Sequence, residues 1–144
     1  MIAFRKQLLA ACLSASLTVA PGFAQEAQGA NVSIELNAVE TLENGCRVSF
    51  LVQNGHVVDI SKAVYEAVLF NTDGAVDRLT LFDFGALPAT RPRVRQFVVP
   101  NLACSSFGRL LINGAETCTG ANLPDNACTL NLDLRSRTDV EMLG

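Results

Sequence analysis

Five cysteines are the residues of this chain with the clearest potential for chemistry, and four of them follow residue 24. These four, an even number, are Cys46, Cys104, Cys118 and Cys128. None belongs to a C-x-x-C pair and the chain has a single histidine, so redox exchange and zinc binding are disfavoured. We therefore expect two structural disulfides, as in small exported domains.

The spacing of the cysteines favours one pairing and leaves two others open. Cys118 and Cys128 bracket nine residues, so a bridge between them closes a short loop at small entropic cost. Cys46 then pairs with Cys104. The alternatives are Cys46–Cys118 with Cys104–Cys128, and Cys46–Cys128 with Cys104–Cys118.

His56 is the only imidazole, and it follows the turn residues Asn54 and Gly55. A serine hydrolase would use it as a general base beside Ser and Asp. The chain has no G-x-S-x-G motif, and nothing marks Ser105 or Ser106 as activated. We expect an exposed turn histidine and no catalytic residue. The alternative is a small periplasmic hydrolase or ion-dependent enzyme that uses His56 and nearby carboxylates.

Four carboxylates, Asp59, Asp73, Asp77 and Asp83, surround the predicted central hairpin. A glycosidase needs two carboxylates across a cleft, and a calcium site needs several closely spaced oxygen ligands. No D-x-D-x-D-G run is present. We interpret Asp73 as a turn residue and the others as solvated strand positions, and we expect no metal and no cofactor.

Arg91, Arg93 and Arg95 alternate along the chain, so on a strand they form one basic stripe. This stripe is a candidate partner surface for an acidic protein or an anionic polymer. The other interpretation is a solvent face whose charges discourage edge-to-edge aggregation, and the acidity of the chain favours it.

The first 24 residues have the three parts of a secretory leader. Arg5 and Lys6 precede an uncharged apolar run over 8–19, and Gly22-Phe23-Ala24 has the small-x-small pattern of a signal-peptidase cleavage site. We expect cleavage after Ala24 and a periplasmic or secreted product, exported by the Sec route or, given Arg5-Lys6, by a degenerate twin-arginine route. A minor alternative is a lipobox ending at Cys12, with lipidation of that residue.

The remaining chain predicts one acidic domain. Without Arg5 and Lys6, nine cations face fourteen carboxylates, a formal charge of −5. This balance disfavours nucleic acid and anionic lipid as partners. No apolar run after residue 24 reaches the roughly 20 residues that cross a bilayer, so we expect no membrane span. We predict a flexible segment over 25–30 and a single domain over 31–144.

Alternating apolar and polar residues between turn signals predict seven strands. They lie near 32–36, 46–52, 63–71, 76–84, 91–99, 107–113 and 129–135, with a polar loop over 114–127. The predicted fold is all-β, an antiparallel two-sheet immunoglobulin-like sandwich stapled by disulfides. The residues expected between the sheets are Val48, Phe50, Val52, Leu69, Ile112, Leu130 and Leu132.

The strand predicted over 76–84 is apolar on both faces. Phe82 and Phe84 share one parity, and Leu79 and Leu81 share the other. Either both faces are covered, or one of them presents an apolar patch to a partner.

This strand rhythm, with the segments NGCRVSF (44–50) and AVLFNTDG (67–74), resembles small exported bacterial proteins of unknown function. The resemblance implies an immunoglobulin-like or fibronectin-type sandwich and brings no catalytic residue with it. The function that we expect is a non-enzymatic interaction or accessory module of the cell envelope. Its partner would be an envelope protein, and the sequence leaves the oligomeric state open.

Overall fold

The computed structural model describes residues 30–144 and contains eight β-strands. A short 3-10 turn, Cys104–Ser106, precedes the sixth strand. The strands are β1 Val32–Leu42, β2 Gly45–Asn54, β3 Ile60–Asn71, β4 Val76–Leu87, β5 Pro92–Pro100, β6 Phe107–Thr119, β7 Asp133–Ser136 and β8 Glu141–Leu143. The predicted signal peptide 1–24, its cleavage after Ala24, the alternative at Cys12 and residues 25–29 lie outside the described residues.

The strands form two four-stranded sheets, so the predicted all-β, two-sheet fold is confirmed. The first sheet has the order β5-β2-β1-β7 and the second β4-β3-β6-β8. Purely antiparallel pairing is wrong, because β7 runs parallel to β1 and β8 runs parallel to β6. Residues 120–140, which include β7, connect the end of β6 to the start of β8, and this connection is long enough for β8 to run in the same direction as β6.

The last predicted strand, over 129–135, is also wrong in its first half. Residues 124–131 form turns in which the carbonyl of Asn126 accepts from the amides of Thr129 and Leu130, at 3.0 and 2.8 Å. β7 therefore begins only at Asp133. Leu130 is 51% exposed, contrary to the core prediction. Leu132 packs against the core but is only partly buried.

The predicted loop over 114–127 is shorter than expected, because β6 continues to Thr119. Its second half stays paired with β3, from Gly114 opposite Glu66 to Thr119 opposite Lys62. Backbone pairing with a long neighbouring strand thus holds a polar segment in extended form, where its sequence alone predicts a loop.

The core lies between the two sheets and is centred on aromatic rings. The ring centroid of Phe50 lies 5.2 Å from that of Phe82 and 5.4 Å from that of Phe84. Phe97 of β5 closes the cluster, 4.8 Å from Phe82. Five residues predicted to lie in the core are buried there: Val48, Phe50, Val52, Leu69 and Ile112.

Two disulfides tie strands to segments outside the sheets. Cys46, at the start of β2, is bonded to Cys104 in the 3-10 turn. Cys118, near the end of β6, is bonded to Cys128 in the following loop. Disulfide bonding is thus confirmed, in the pairing that the spacing favours, and it is consistent with an oxidising compartment.

Candidate functional site

His56 is buried, and this differs from the exposed turn histidine that the sequence predicts. It does lie in a bend between β2 and β3, but only 7% of its surface is exposed. Its ring nitrogen Nε2 lies 2.8 Å from the carbonyl oxygen of Ala127, and its backbone N–H donates to Oδ1 of Asn54 at 2.9 Å. The imidazole thus anchors the loop that carries Cys128.

Two further buried polar side chains complete this anchor. Asn54 donates from Nδ2 to the carbonyls of Val58 and Leu87, at 2.9 and 3.0 Å. Tyr65 donates its hydroxyl to the carbonyl of Cys128 at 2.8 Å, and burial raises its pKa, which keeps the hydroxyl protonated as a donor. The arrangement satisfies backbone carbonyls at one end of the sandwich, which is a structural task.

The four carboxylates do not converge on His56. Asp59 accepts from the amide of Ala89 at 2.7 Å, Asp77 pairs with Arg78, and Asp83 lies 3.6 Å from Nζ of Lys62. Asp73 lies in the turn between β3 and β4. Across residues 30–144 no group of three or more His, Cys, Asp and Glu side chains is placed to hold a metal ion.

The three arginines of the basic stripe have different environments. Arg91 precedes β5, and Arg93 lies opposite buried Val52. Arg95 is half-buried and crosses to the other sheet, where it donates to the carbonyls of Phe84 and Ala86 at 2.7 and 3.0 Å. The stripe is therefore not a uniform solvent face, because Arg95 ties β5 to β4.

Arg78 makes the reciprocal contact from β4. Its Nη1 donates to the carbonyl of Pro100 in β5 at 2.7 Å. We call Arg78 and Arg95 the arginine clasp. Because β4 and β5 are the adjacent edge strands of the two sheets, the clasp occupies carbonyls that an added strand would need.

A cavity of about 500 Å³ lies where the chain crosses from β7 to β8. Its polar lining comes mainly from Thr72, Ser105, Thr138 and Asp139, with Arg137. Arg137 is already bound to Glu35 at 2.8 Å. His56 is not among the residues that line this cavity. The cavity therefore brings together none of the groups predicted for catalysis.

The outer face of the second sheet carries a continuous row of aliphatic side chains. Val68 of β3 lies opposite Leu79 of β4 and Leu111 of β6. Leu111 in turn lies opposite Leu143 of β8. We call these four residues the aliphatic row; it crosses every strand of the sheet.

The aliphatic row is open to solvent at its β4 end. Leu79 is 61% exposed, and its neighbours Val76 and Leu81 are 57% and 54% exposed, whereas Val68 at the centre is 8% exposed. Phe82 and Phe84 point into the core instead. The second alternative for this strand is therefore the one found, an uncovered apolar face.

The sequence does not predict the strand registers that create this row, because bulges between β3 and β6 shift the pairing. The parity of Leu79 and Leu81 was the one signal in the sequence. The anchoring roles of Asn54 and Tyr65 also went unnoticed, although Asn54-Gly55 marks the turn that places them.

No helix among the described residues is long and apolar enough to cross a bilayer. No protein-family model, curated protein or solved structure matches this chain.

Proposed function

We propose that this chain is an exported, non-enzymatic interaction or accessory module of the cell envelope. The observation that carries this proposal is the exposed apolar face of the second sheet. Surface leucines and valines are ordinary singly, but a contiguous group on one face is typical of an interaction site. We assign the partner surface to this face, with Arg91 and Arg93 as a separate candidate.

The immunoglobulin-like architecture is part of the same proposal, and strand order supports it. In such domains the first, second and fifth strands share one sheet, while the third and sixth share the other. β1, β2 and β5 follow this scheme, as do β3 and β6. The fourth strand, which pairs with β3 here, and the parallel strands β7 and β8 depart from it. Sandwiches of this kind commonly serve as recognition domains, which is an argument by analogy.

Export is proposed from the leader-like N-terminus together with the two disulfides. Both disulfides link segments that the sheets do not otherwise join by strand pairing, so they suit a chain that folds under oxidising conditions. The enzyme alternative requires an imidazole that a substrate can reach, and the burial of His56, with 7% of its surface exposed, argues against that role.

The proposal is tested by quantitative capture of envelope components with the wild type and two matched variants. Leu79→Ser with Leu81→Ser removes exposed aliphatic groups from the second sheet; Val94→Ser with Val98→Ser removes exposed ones from the first. We expect the first variant alone to lose what the wild type retains. Equal retention by all three proteins would exclude the second sheet as the surface that binds envelope components.

A further inference from the structure

We propose that the outer face of the second sheet binds a second copy of this chain, with a twofold axis running along the aliphatic row. This inference rests on the proposed function of that face as an interaction surface and names its partner. Sheets stacked face to face lie about 10 Å apart, which leaves room for one interdigitated layer of aliphatic side chains.

A twofold axis along the aliphatic row stacks the row on itself. The axis crosses the strands, so each strand lies over its own copy and the direction along the strands is reversed. Leu79 then meets Leu79 of the second copy, and Leu111 meets Leu111. The result is a fully aliphatic centre, of the kind that distinguishes the buried core of a homodimer interface from ordinary surface.

The rows on either side of the aliphatic row exchange places under the same rotation, which also lays Phe70 over Glu66 of the second copy. On one side lie Val76 and Arg109, both opposite Phe70 of β3. On the other side lie Leu81 and Gly114, both opposite Glu66 of β3. The rotation places Val76 against Leu81 of the second copy, which extends the apolar contact along β4.

The same rotation places Arg109 over Gly114 of the second copy. A Cβ atom added at Gly114 would meet nothing within 4 Å, so open space exists there for a guanidinium group. Glu66 lies on the adjacent strand, about 5 Å away across the sheet. An arginine side chain over Gly114 therefore reaches the Glu66 carboxylate.

Charge supports this docking. Glu66 accepts a hydrogen bond from the side chain of Asn113, and no ion pair of residues 30–144 includes it. Arg109 pairs with Glu141 at 3.0 Å, and its side chain is still 53% exposed. Two such Arg109–Glu66 contacts, one on each side of the axis, fix the register of the two copies.

Edge-to-edge pairing is the competing geometry, and the arginine clasp opposes it at β4 and β5. The carbonyls of Phe84, Ala86 and Pro100 are already bound. β5 also begins and ends with proline, which offers no N–H to an added strand. Face-to-face stacking uses none of these groups.

The test is sedimentation equilibrium of the disulfide-bonded protein over a range of concentrations, with a charge-exchange cycle. We expect a monomer–dimer equilibrium in the wild type. Glu66→Arg and Arg109→Glu should each weaken dimerisation by about tenfold or more, and the double variant should recover most of the loss. Circular dichroism and thermal melting verify that each variant is folded.

A second measurement does not depend on charge reversal. Leu79→Cys should be joined to its own copy by a bis-maleimide of about 10 Å span, because the axis places the two positions face to face. Val94→Cys on the first sheet is the matched control.

The proposed homodimer would be wrong if the wild type remains monomeric at every concentration. It would also be wrong if neither Glu66→Arg nor Arg109→Glu changes the dimerisation constant. If that monomer still loses envelope partners through Leu79→Ser with Leu81→Ser, the proposed function stands and only the second copy is excluded.

Discussion

The outer faces of the two sheets differ, although each sheet has four strands and contributes to the same aromatic core. On the first sheet the row from Val94 through Leu51 ends at Glu35 of β1. On the second sheet the aliphatic row continues without a charge to the last strand. The aliphatic row has no counterpart to the charges that Glu35 of β1 and Arg135 of β7 place in that row of the first sheet.

Ion pairs and amides cover much of the first sheet's outer face. Arg47 binds Glu40 at 2.9 Å, and Gln96 donates to Ser49 at 2.9 Å. A hydrogen bond from Asn37, with the charge of Arg137, holds the pKa of Glu35 below its usual range. The comparison teaches that a sandwich with one shared core can have a polar, ion-paired outer face on one sheet and an exposed apolar outer face on the other.

The largest expected effect concerns the shared core and tests whether the faces are assigned correctly. Phe50→Ala should lower the free energy of unfolding by about 3–5 kcal/mol, because Phe50 is fully buried among three other phenylalanine rings. Leu51→Ala is the matched control on the outer face, where a change below about 1 kcal/mol is expected. Urea denaturation measures both, and equal losses would reverse our assignment of β2.

Removal of a disulfide should have the next largest effect on stability. One disulfide starts from β2 of the first sheet and the other from β6 of the second sheet. In the chain-entropy account, losing Cys46–Cys104, with a sequence separation of 58, costs about 4 kcal/mol. Losing Cys118–Cys128, with a separation of 10, costs about 3 kcal/mol. Paired Cys→Ala variants, compared by chemical denaturation, should show this order. The reverse order would mean that native anchoring of the 120–132 loop outweighs loop length.

The arginine clasp should contribute less than either disulfide. Arg95→Met removes two charge-assisted hydrogen bonds between β5 and β4, and we expect a loss of about 1–2 kcal/mol after allowance for solvent exposure. Arg93→Met is the matched control and should change stability by less than about 0.5 kcal/mol. If both variants lower the melting temperature equally, the hydrogen bonds of the arginine clasp do not stabilise the fold.

The smallest expected effect concerns the charges of the first sheet's outer face. Because the pKa of Glu35 is lowered in the folded protein, its contribution to stability is present above its unfolded pKa and is lost as the pH falls through the folded value. Glu35→Gln should therefore flatten the acid side of the stability profile slightly. Thermal melts between about pH 2 and 6 test this, and an unchanged slope would contradict it.

Local alternation predicted much of the sandwich, because each strand's inner residues recur every second position. Val32, Ile34 and Leu36 show this on β1, and Val48, Phe50 and Val52 show it on β2. The same pattern misled at Leu130 and Leu132. There local turn hydrogen bonds to the carbonyl of Asn126, together with the disulfide from Cys118 to Cys128, hold the backbone out of a strand.

The candidate site could be predicted only in part. The opposite parities of Leu79 and Phe82 indicated that both faces of β4 are apolar, but parity says neither whether both faces are covered nor which face meets the other sheet. The aliphatic row depends on the registers of four strands, and bulges set those registers. His56 looked like a turn residue because its partner, the carbonyl of Ala127, lies 71 positions away.

The central claim is that the second sheet's outer face is an interface and the first sheet's is not. The most direct measurement is sedimentation equilibrium of the wild type beside the two serine pairs already described. We predict that Leu79→Ser with Leu81→Ser yields monomer at concentrations where the wild type and Val94→Ser with Val98→Ser remain dimeric, with similar thermal melting for all three. The account would be contradicted if Val94→Ser with Val98→Ser yields monomer while Leu79→Ser with Leu81→Ser remains dimeric.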